Sequence, residues 1–169
     1  MRPTTSWDIW IFRLGERQPQ PLLRESFNEV SPRLSPNGSW LAYASQETFP
    51  GPLEVYVRPF PGSGGRWPIS TDGGSQPVWA RNGRELYYRI GNRMMAVTVT
   101  SDATFSATKA RVLFETRAYL GLGLGGMSYD VTPEGEFLMI EPDEADVPPS
   151  QINVVLNWLQ EVRRRVTVR

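Results

Sequence analysis

Residues 32–43 read Pro-Arg-Leu-Ser-Pro-Asn-Gly-Ser-Trp-Leu-Ala-Tyr, a tight-turn signal followed by a run of apolar residues. In such a turn Pro presets φ at the second position, Asn accepts the third position, and Gly adopts a positive φ. The apolar residues on either side of the turn predict two antiparallel strands. The same arrangement returns at 80–88 and at 132–140, so the stretch is one unit of an internal repeat.

The turn glycines Gly38, Gly83 and Gly135 are separated by 45 and 52 residues. A repeat of this length is typical of a four-stranded β-propeller blade. We therefore predict an all-β fold, a partial β-propeller of about three four-stranded antiparallel blades, with no helix before residue 157. Each of the three glycines is predicted to have a positive φ, because each ends a turn between the first two strands of a blade.

The strand pattern divides the chain, taken as a single propeller fragment 1–169, into units of unequal completeness. The units are a blade remnant 7–29, a blade 30–73, a blade 74–126, an incomplete blade 127–158 and a C-terminal tail 159–169. The remnant supplies only two predicted strands, Trp7–Leu14 and Pro21–Arg24.

The predicted strands of the later units follow the same order in each repeat. They are Pro32–Leu34, Trp40–Ser45, Leu53–Phe60 and Trp67–Ser70 in the first blade, Pro77–Trp79, Glu85–Arg89, Arg93–Thr100 and Val112–Phe114 in the second, and Met127–Val131, Phe137–Glu141 and Ile152–Trp158 in the third unit. Within 93–100 the residues Met95, Val97 and Val99 alternate onto one face, as in a half-buried strand. The polar residues 101–111 predict a loop.

Composition excludes several function classes. Lys plus Arg and Asp plus Glu number 18 each, so the chain has no net field that favours nucleic acid or an anionic membrane. There is no His and no Cys, which excludes Ser–His–Asp and Cys–His catalysis and the usual zinc ligands. No apolar run is long enough to span a bilayer, and residues 1–25 lack the pattern of a signal peptide.

Three groups of residues resemble the motifs of nucleotide-binding, catalytic or metal-binding sites. Gly121-x-Gly123-x-x-Gly126 matches a dinucleotide fingerprint, but a strand and a turn follow it where a helix is required, so we interpret it as a flexible connection. Ser106 and Lys109 form the string Ser-x-x-Lys, but they lie outside any helical pattern. Catalysis by a serine nucleophile and a lysine base needs a buried lysine on a helix, so this string does not fit it. The acidic residues before and among the prolines could bind Ca²⁺, although their spacing favours a solvated loop. These residues are Glu141, Asp143, Glu144 and Asp146.

Other conspicuous residues have structural interpretations. Asn37-Gly38-Ser39 is formally a glycosylation acceptor, yet it lies within the predicted tight turn. The run 163–165 of three arginines is typical of a solvated terminus. We expect the tryptophans to pack between neighbouring blades rather than to form a stacking platform for a ligand. They are Trp7, Trp10, Trp40, Trp67, Trp79 and Trp158.

Two stretches resemble a known family. The pattern Pro-x-x-Ser-Pro-Asn-Gly-x-x-Leu-Ala-Tyr-x-Ser, followed by residues 54–60, Glu-Val-Tyr-Val-Arg-Pro-Phe, resembles the repeat of TolB-like, WD-repeat-related β-propellers. The ending 150–158, Ser-Gln-Ile-Asn-Val-Val-Leu-Asn-Trp, is similar to the C-terminal end of propellers attached to bacterial serine/threonine kinases. This resemblance implies a module of a larger bacterial protein, and it suggests a periplasmic or extracytoplasmic location.

The sequence therefore predicts a non-catalytic propeller that binds a protein or a peptide, with no catalytic, cofactor-binding or metal-binding residues. The alternatives are the accessory propeller of a prolyl-oligopeptidase-like hydrolase and a metal-dependent lactonase-type propeller. We also expect the remaining propeller blades, or a second copy of the chain, to cover the sheet faces that the incomplete units leave open. Neither nucleic acid nor membrane insertion is expected.

Overall fold

Every regular element in the described part of the chain is a β-strand. The computed structural model describes residues 7–48, 50–62, 64–100, 104–116 and 126–141. The strands are β1 Ile9–Ile11, β2 Gln20–Leu23, β3 Asn28–Leu34, β4 Trp40–Gln46, β5 Glu54–Pro59, β6 Trp67–Pro68, β7 Ser75–Trp79, β8 Glu85–Ile90, β9 Arg93–Thr100, β10 Ser106–Ala107, β11 Arg111–Glu115, β12 Tyr129–Val131 and β13 Phe137–Met139.

Strands β3 to β6 form one antiparallel sheet in chain order. The β3–β4 turn is closed by Gly38 N, which donates to Ser35 O at 2.8 Å. In β5 the valines Val55 and Val57 are fully buried and the residues between and after them are only half-buried, as the alternation in the sequence predicts. This sheet is a complete four-stranded blade.

The second sheet contains β7, β8 and β9 in order, and both β10 and β11 pair with the free edge of β9. Ser106 lies opposite Thr100 at one end of β9, and Arg111 lies opposite Ala96 farther back. The prediction of a loop over 101–111 was therefore wrong at 106–107 and at Arg111, where β11 begins. Strand β9 is eight residues long, and a five-residue outer strand covers only part of its edge, so the preceding segment pairs with the remainder.

The two larger sheets pack face to face through a continuous apolar core. The first sheet contributes Trp40, Ala42, Val55 and Val57, with Ile69 directly after β6. The second sheet contributes Trp79, Leu86, Tyr88, Met95, Val97 and Val99, with Phe105 directly before β10. A hydrogen bond crosses the same boundary, since Trp79 Nε1 donates to Arg33 O at 3.1 Å. Burial of this area is the main term that holds adjacent blades together.

The outer faces of both sheets are covered by the smaller sheets. The β1–β2 pair contributes Ile9 and Leu23 against Leu41 and Tyr43 of β4. On the far side of the second sheet, Tyr129 and its neighbours from β12–β13 pack on β7–β9. Four antiparallel sheets thus stack in chain order, and the protein is an all-β, partial β-propeller, as predicted.

The predicted packing of the tryptophans holds for part of the set. Trp40 and Trp79 are buried between the two large sheets, with Trp67 half-buried beside them. For Trp7 and Trp10 the prediction was wrong, because their exposures are 60% and 46%. The side chain of Ile9 in β1 is buried against the first blade. Because side chains alternate along a strand, Trp10 lies on the opposite, uncovered face.

The repeat glycines have the predicted backbone geometry, with φ of 71° at Gly38, 69° at Gly83 and 90° at Gly135. The innermost strand of the first blade begins at Asn28, four residues before the predicted start, and passes through a bulge between Val30 and Arg33. Pro is compatible with a bulge because it has no N–H to donate to the ladder.

The predicted strand 152–158 and the tail 159–169 lie outside the described residues. Within the described ranges, no helix is long and apolar enough to cross a membrane.

Candidate functional site

A cavity lies between equivalent turns of the two large sheets. It has a volume of about 500 Å³ and is lined by the β3–β4 turn, the β7–β8 turn and the end of β9. The turns are close neighbours, because a Cβ added to Gly83 would lie 3.8 Å from Pro36 Cδ. We call this cavity the turn groove, and its walls are Ser35, Pro36, Asn37, Asn82, Gly83, Arg84, Thr98, Val99 and Thr100.

In the first turn the asparagine stabilises the backbone with its carbonyl oxygen. Asn37 Oδ1 accepts from Ser39 N at 3.1 Å and from Ser35 Oγ at 2.7 Å. Ser35 Oγ in turn accepts from Trp40 N at 3.0 Å, which ties the turn to the start of β4. These hydrogen bonds fix the conformation of the turn. Asn37 itself is exposed to solvent.

The second turn repeats this design. Gly83 N donates to Ala80 O at 2.9 Å, and Asn82 Oδ1 accepts from Arg84 N at 2.9 Å. The floor between the turns is fixed by Val99 N, which donates to Arg84 O at 2.8 Å. Both walls of the turn groove are therefore held by hydrogen bonds within the turns, from backbone and from side-chain acceptors, so the groove is formed before any ligand binds.

The polar groups left over in the turn groove are mainly donors. Because each asparagine uses Oδ1 within its own turn, its Nδ2 amide remains available, and neither amide has an acceptor among the described residues. The exposed Arg84 adds a positive charge that no described carboxylate pairs, and no Asp or Glu lines the groove. Such a surface is complementary to carbonyl and carboxylate oxygens.

The third turn has the same backbone and different chemistry. Gly135 N donates to Thr132 O at 3.0 Å, as in the other repeats, and Glu136 N donates to Thr132 Oγ1 at 3.1 Å. The position of the asparagine is taken by Glu134. A carboxylate has no donor at neutral pH, so the donor character is confined to the first two turns.

The other residues that the sequence singled out do not form a catalytic, nucleotide-binding or metal-binding site in the described part of the chain. Ser106 lies on β10 and Lys109 follows it, and both are exposed, so they do not form a buried nucleophile and base. Gly126 precedes strand β12, which does not fit a dinucleotide site, and Gly121 and Gly123 lie outside the described residues. No group of three or more acidic residues in the described ranges is placed to hold a metal ion.

Of the acidic loop only Glu141 is described, and it is exposed. Asp143, Glu144, Asp146 and the arginines 163–165 lie outside the described residues.

Sequence reasoning did not anticipate the turn groove or the part that β9 plays in it. The signal available was the end of β9, where the exposed Thr98 and Thr100 flank the buried Val99. That alternation predicts a polar face at the end of β9, but it does not predict that the two turns lie next to this face. The adjacency of the two turns comes from stacking of sheets whose turns are 45 residues apart in the chain.

Comparisons with known proteins identify no family for the chain. No protein-family model matches it, and no curated protein matches it. Among solved structures it is similar to the crystal structure of TolB from Acinetobacter baumannii, with a TM-score of 0.39 and 13% sequence identity. The match covers 77% of this chain and 42% of the TolB chain, so the chain spans less than half the length of that structure. A likeness at this level assigns no function.

Proposed function

We propose that the protein is a non-catalytic binding module that holds an extended segment of a partner protein in the turn groove. The observation that carries the proposal is the pair of asparagine amides beside Arg84 in a preformed groove without carboxylates. An extended peptide presents carbonyl oxygens that these groups can bind. The groove volume of about 500 Å³ is within the range of small-ligand and short-peptide sites.

The absence of His and Cys from the whole sequence supports a binding role over catalysis. In line with the resemblance of its final residues, we propose that the module belongs to a larger bacterial protein, as the sensor or interaction part of a membrane kinase. In that protein, binding of the ligand in the turn groove would be the event that the sensor part detects.

The proposal is tested by selecting peptides from a random display library on the purified chain and measuring their affinity by calorimetry. The informative variant is Asn82→Asp, which keeps the Oδ1 acceptor for Arg84 N and removes the amide donors. We expect at least a tenfold loss of affinity, equivalent to about 1.4 kcal/mol. The matched control is Asn92→Asp, the same change in the exposed β8–β9 turn, away from the groove. Equal affinities for the two variants would show that the groove is not the binding site.

A further inference from the structure

A second cavity lies on the other face of the first blade. It has a volume of about 250 Å³ and is bounded by β4 and by the connection between β2 and β3. The acidic residue at its base, Glu29, is 2% exposed, and Ser45 beside it is 1% exposed. At the outer end Glu25 and Arg66 are in contact with solvent.

Two polar atoms in this cavity have no hydrogen-bond partner, Glu29 Oε1 and Ser45 Oγ. The register of β3 and β4 sets these two residues directly opposite each other, so their side chains emerge together on one face of the sheet. Glu29 Oε2 receives only a long bond from Glu25 N, at 3.5 Å. Buried polar atoms are almost always paired, so two adjacent unpaired atoms that line one cavity are available to hold a ligand.

The charge around Glu29 indicates the sign of that ligand. Burial is the main cause that raises the pKa of Glu29 to about 7; the hydrogen bond from Glu25 N opposes this shift, and the negative charges of Asp8, Glu25 and Glu47 contribute to it. Asp8 is paired with Arg24 and Glu47 with Arg66, yet the charges that shift the pKa of Glu29 are all negative. A cation placed beside Glu29 is therefore stabilised.

The two arginines in the lining do not neutralise this carboxylate. Arg66 pairs with Glu47 and lies over the ring of Tyr56, with its guanidinium carbon 4.4 Å from the ring centroid. Arg58 lies opposite Leu41 in the β4–β5 register, four residues along β4 from Ser45, or about 13 Å at the usual rise of a strand. Arg58 also lines the cavity, but neither arginine is among the charges that shift the pKa of Glu29.

We propose that this cavity binds an organic cation, a primary ammonium or guanidinium group, with Glu29 and Ser45 as its acceptors. The aromatic side chains of Phe27 and Tyr43 also line the cavity, and aromatic rings stabilise cations. The cavity is several times larger than one water molecule, and no described cluster of ligands fits a metal ion. The site is separate from the turn groove and does not depend on the function proposed there.

Binding is expected to depend on pH, because a cation needs Glu29 in its ionised form. Below about pH 7 the carboxyl is largely protonated, and the affinity falls as pH is lowered through that value. The other charged or titratable groups around it come from every neighbouring element, and they are Asp8 before β1, Glu25 after β2, Tyr43 on β4, Glu47 after β4, Arg58 on β5 and Arg66 before β6.

The test is a calorimetric titration of the full chain with methylguanidinium and with butylammonium at pH 6 and pH 8. We expect saturable binding that is about tenfold tighter at pH 8, from the change in the ionised fraction of one group with a pKa near 7. Glu29→Gln keeps the shape and removes the charge, so it should abolish binding while the thermal melt stays cooperative. Ser45→Ala should weaken binding without changing its pH dependence.

A third arm compares free butylammonium with a tripeptide that carries a central lysine. Tighter binding of either probe identifies the source of the cation and supports the site. The proposal is overturned if neither cation binds, if Glu29→Gln binds as well as the wild type, or if only sodium or calcium ions bind.

Discussion

Replacing Gly74 by Ala tests the packing at the outer edge of the first blade. A Cβ at this position would lie 2.8 Å from Ser70 Cβ and 3.1 Å from Val55 Cγ2, and still closer to Ser70 Oγ. That hydroxyl accepts from Val55 N at 2.8 Å and donates to Glu54. The added methyl therefore displaces Ser70 and breaks both bonds in a buried environment.

The cost of this change follows from the bonds involved. Each lost hydrogen bond contributes about 0.5–1.5 kcal/mol, and leaving the buried Val55 N without a partner costs about 1–3 kcal/mol. We expect Gly74→Ala to reduce the free energy of unfolding by about 3 kcal/mol in urea titration. The control is Gly65→Ala, which meets nothing within 4 Å and should change stability by less than about 0.5 kcal/mol.

A double variant separates the clash from other effects. In a Ser70→Gly background the displaced group is absent, so adding Gly74→Ala should cost less than about 1 kcal/mol. If Gly74→Ala alone is as stable as the wild type, or if the two changes are additive, the described contact between these residues is not the cause.

Three further predictions follow from the same structure. Gly83→Val should destabilise the chain by about 1–3 kcal/mol in urea titration, because φ is 69° there, and a wild-type melt would contradict the repeat alignment. The wild type should lose on the order of 2–3 kcal/mol as pH rises from 4.5 to above 7, since the pKa of Glu29 is raised by burial to about 7, and Glu29→Gln should show a flatter pH profile. The chain at micromolar concentration should associate in light scattering, because Trp10 and Leu138 are exposed on the outer sheets and Phe12 is exposed directly after β1. A stable monomer with a cooperative melt would contradict this.

The fold was predictable because its signals are local. A turn glycine such as Gly38 reveals its positive φ through the residues beside it, and the alternation of Met95, Val97 and Val99 identifies β9 as a strand with a buried face. Strand β10 was missed because Ser106 and Ala107 have no strand character of their own. They pair only because the neighbouring edge of β9 is otherwise open.

The sites were less predictable because they depend on contacts between distant segments. Glu29 lies before the predicted start of the first blade's inner strand, at Pro32, yet in the structure it belongs to β3 and is buried. The turn groove joins Asn37 and Asn82, which are brought together only when the two large sheets stack. Neither the burial of Glu29 nor the proximity of Asn37 and Asn82 produces a motif or a residue spacing that can be recognised in one sequence.

The central claim, that the turn groove is the binding surface, is tested most directly by backbone amide NMR with a display-selected peptide. We expect the largest shift changes at Asn37, Asn82, Arg84 and Thr98, and we expect Asn82→Asp to remove them while Asn92→Asp does not. Shift changes concentrated away from residues 35–39, 82–84 and 98–100, with these unaffected, would contradict it.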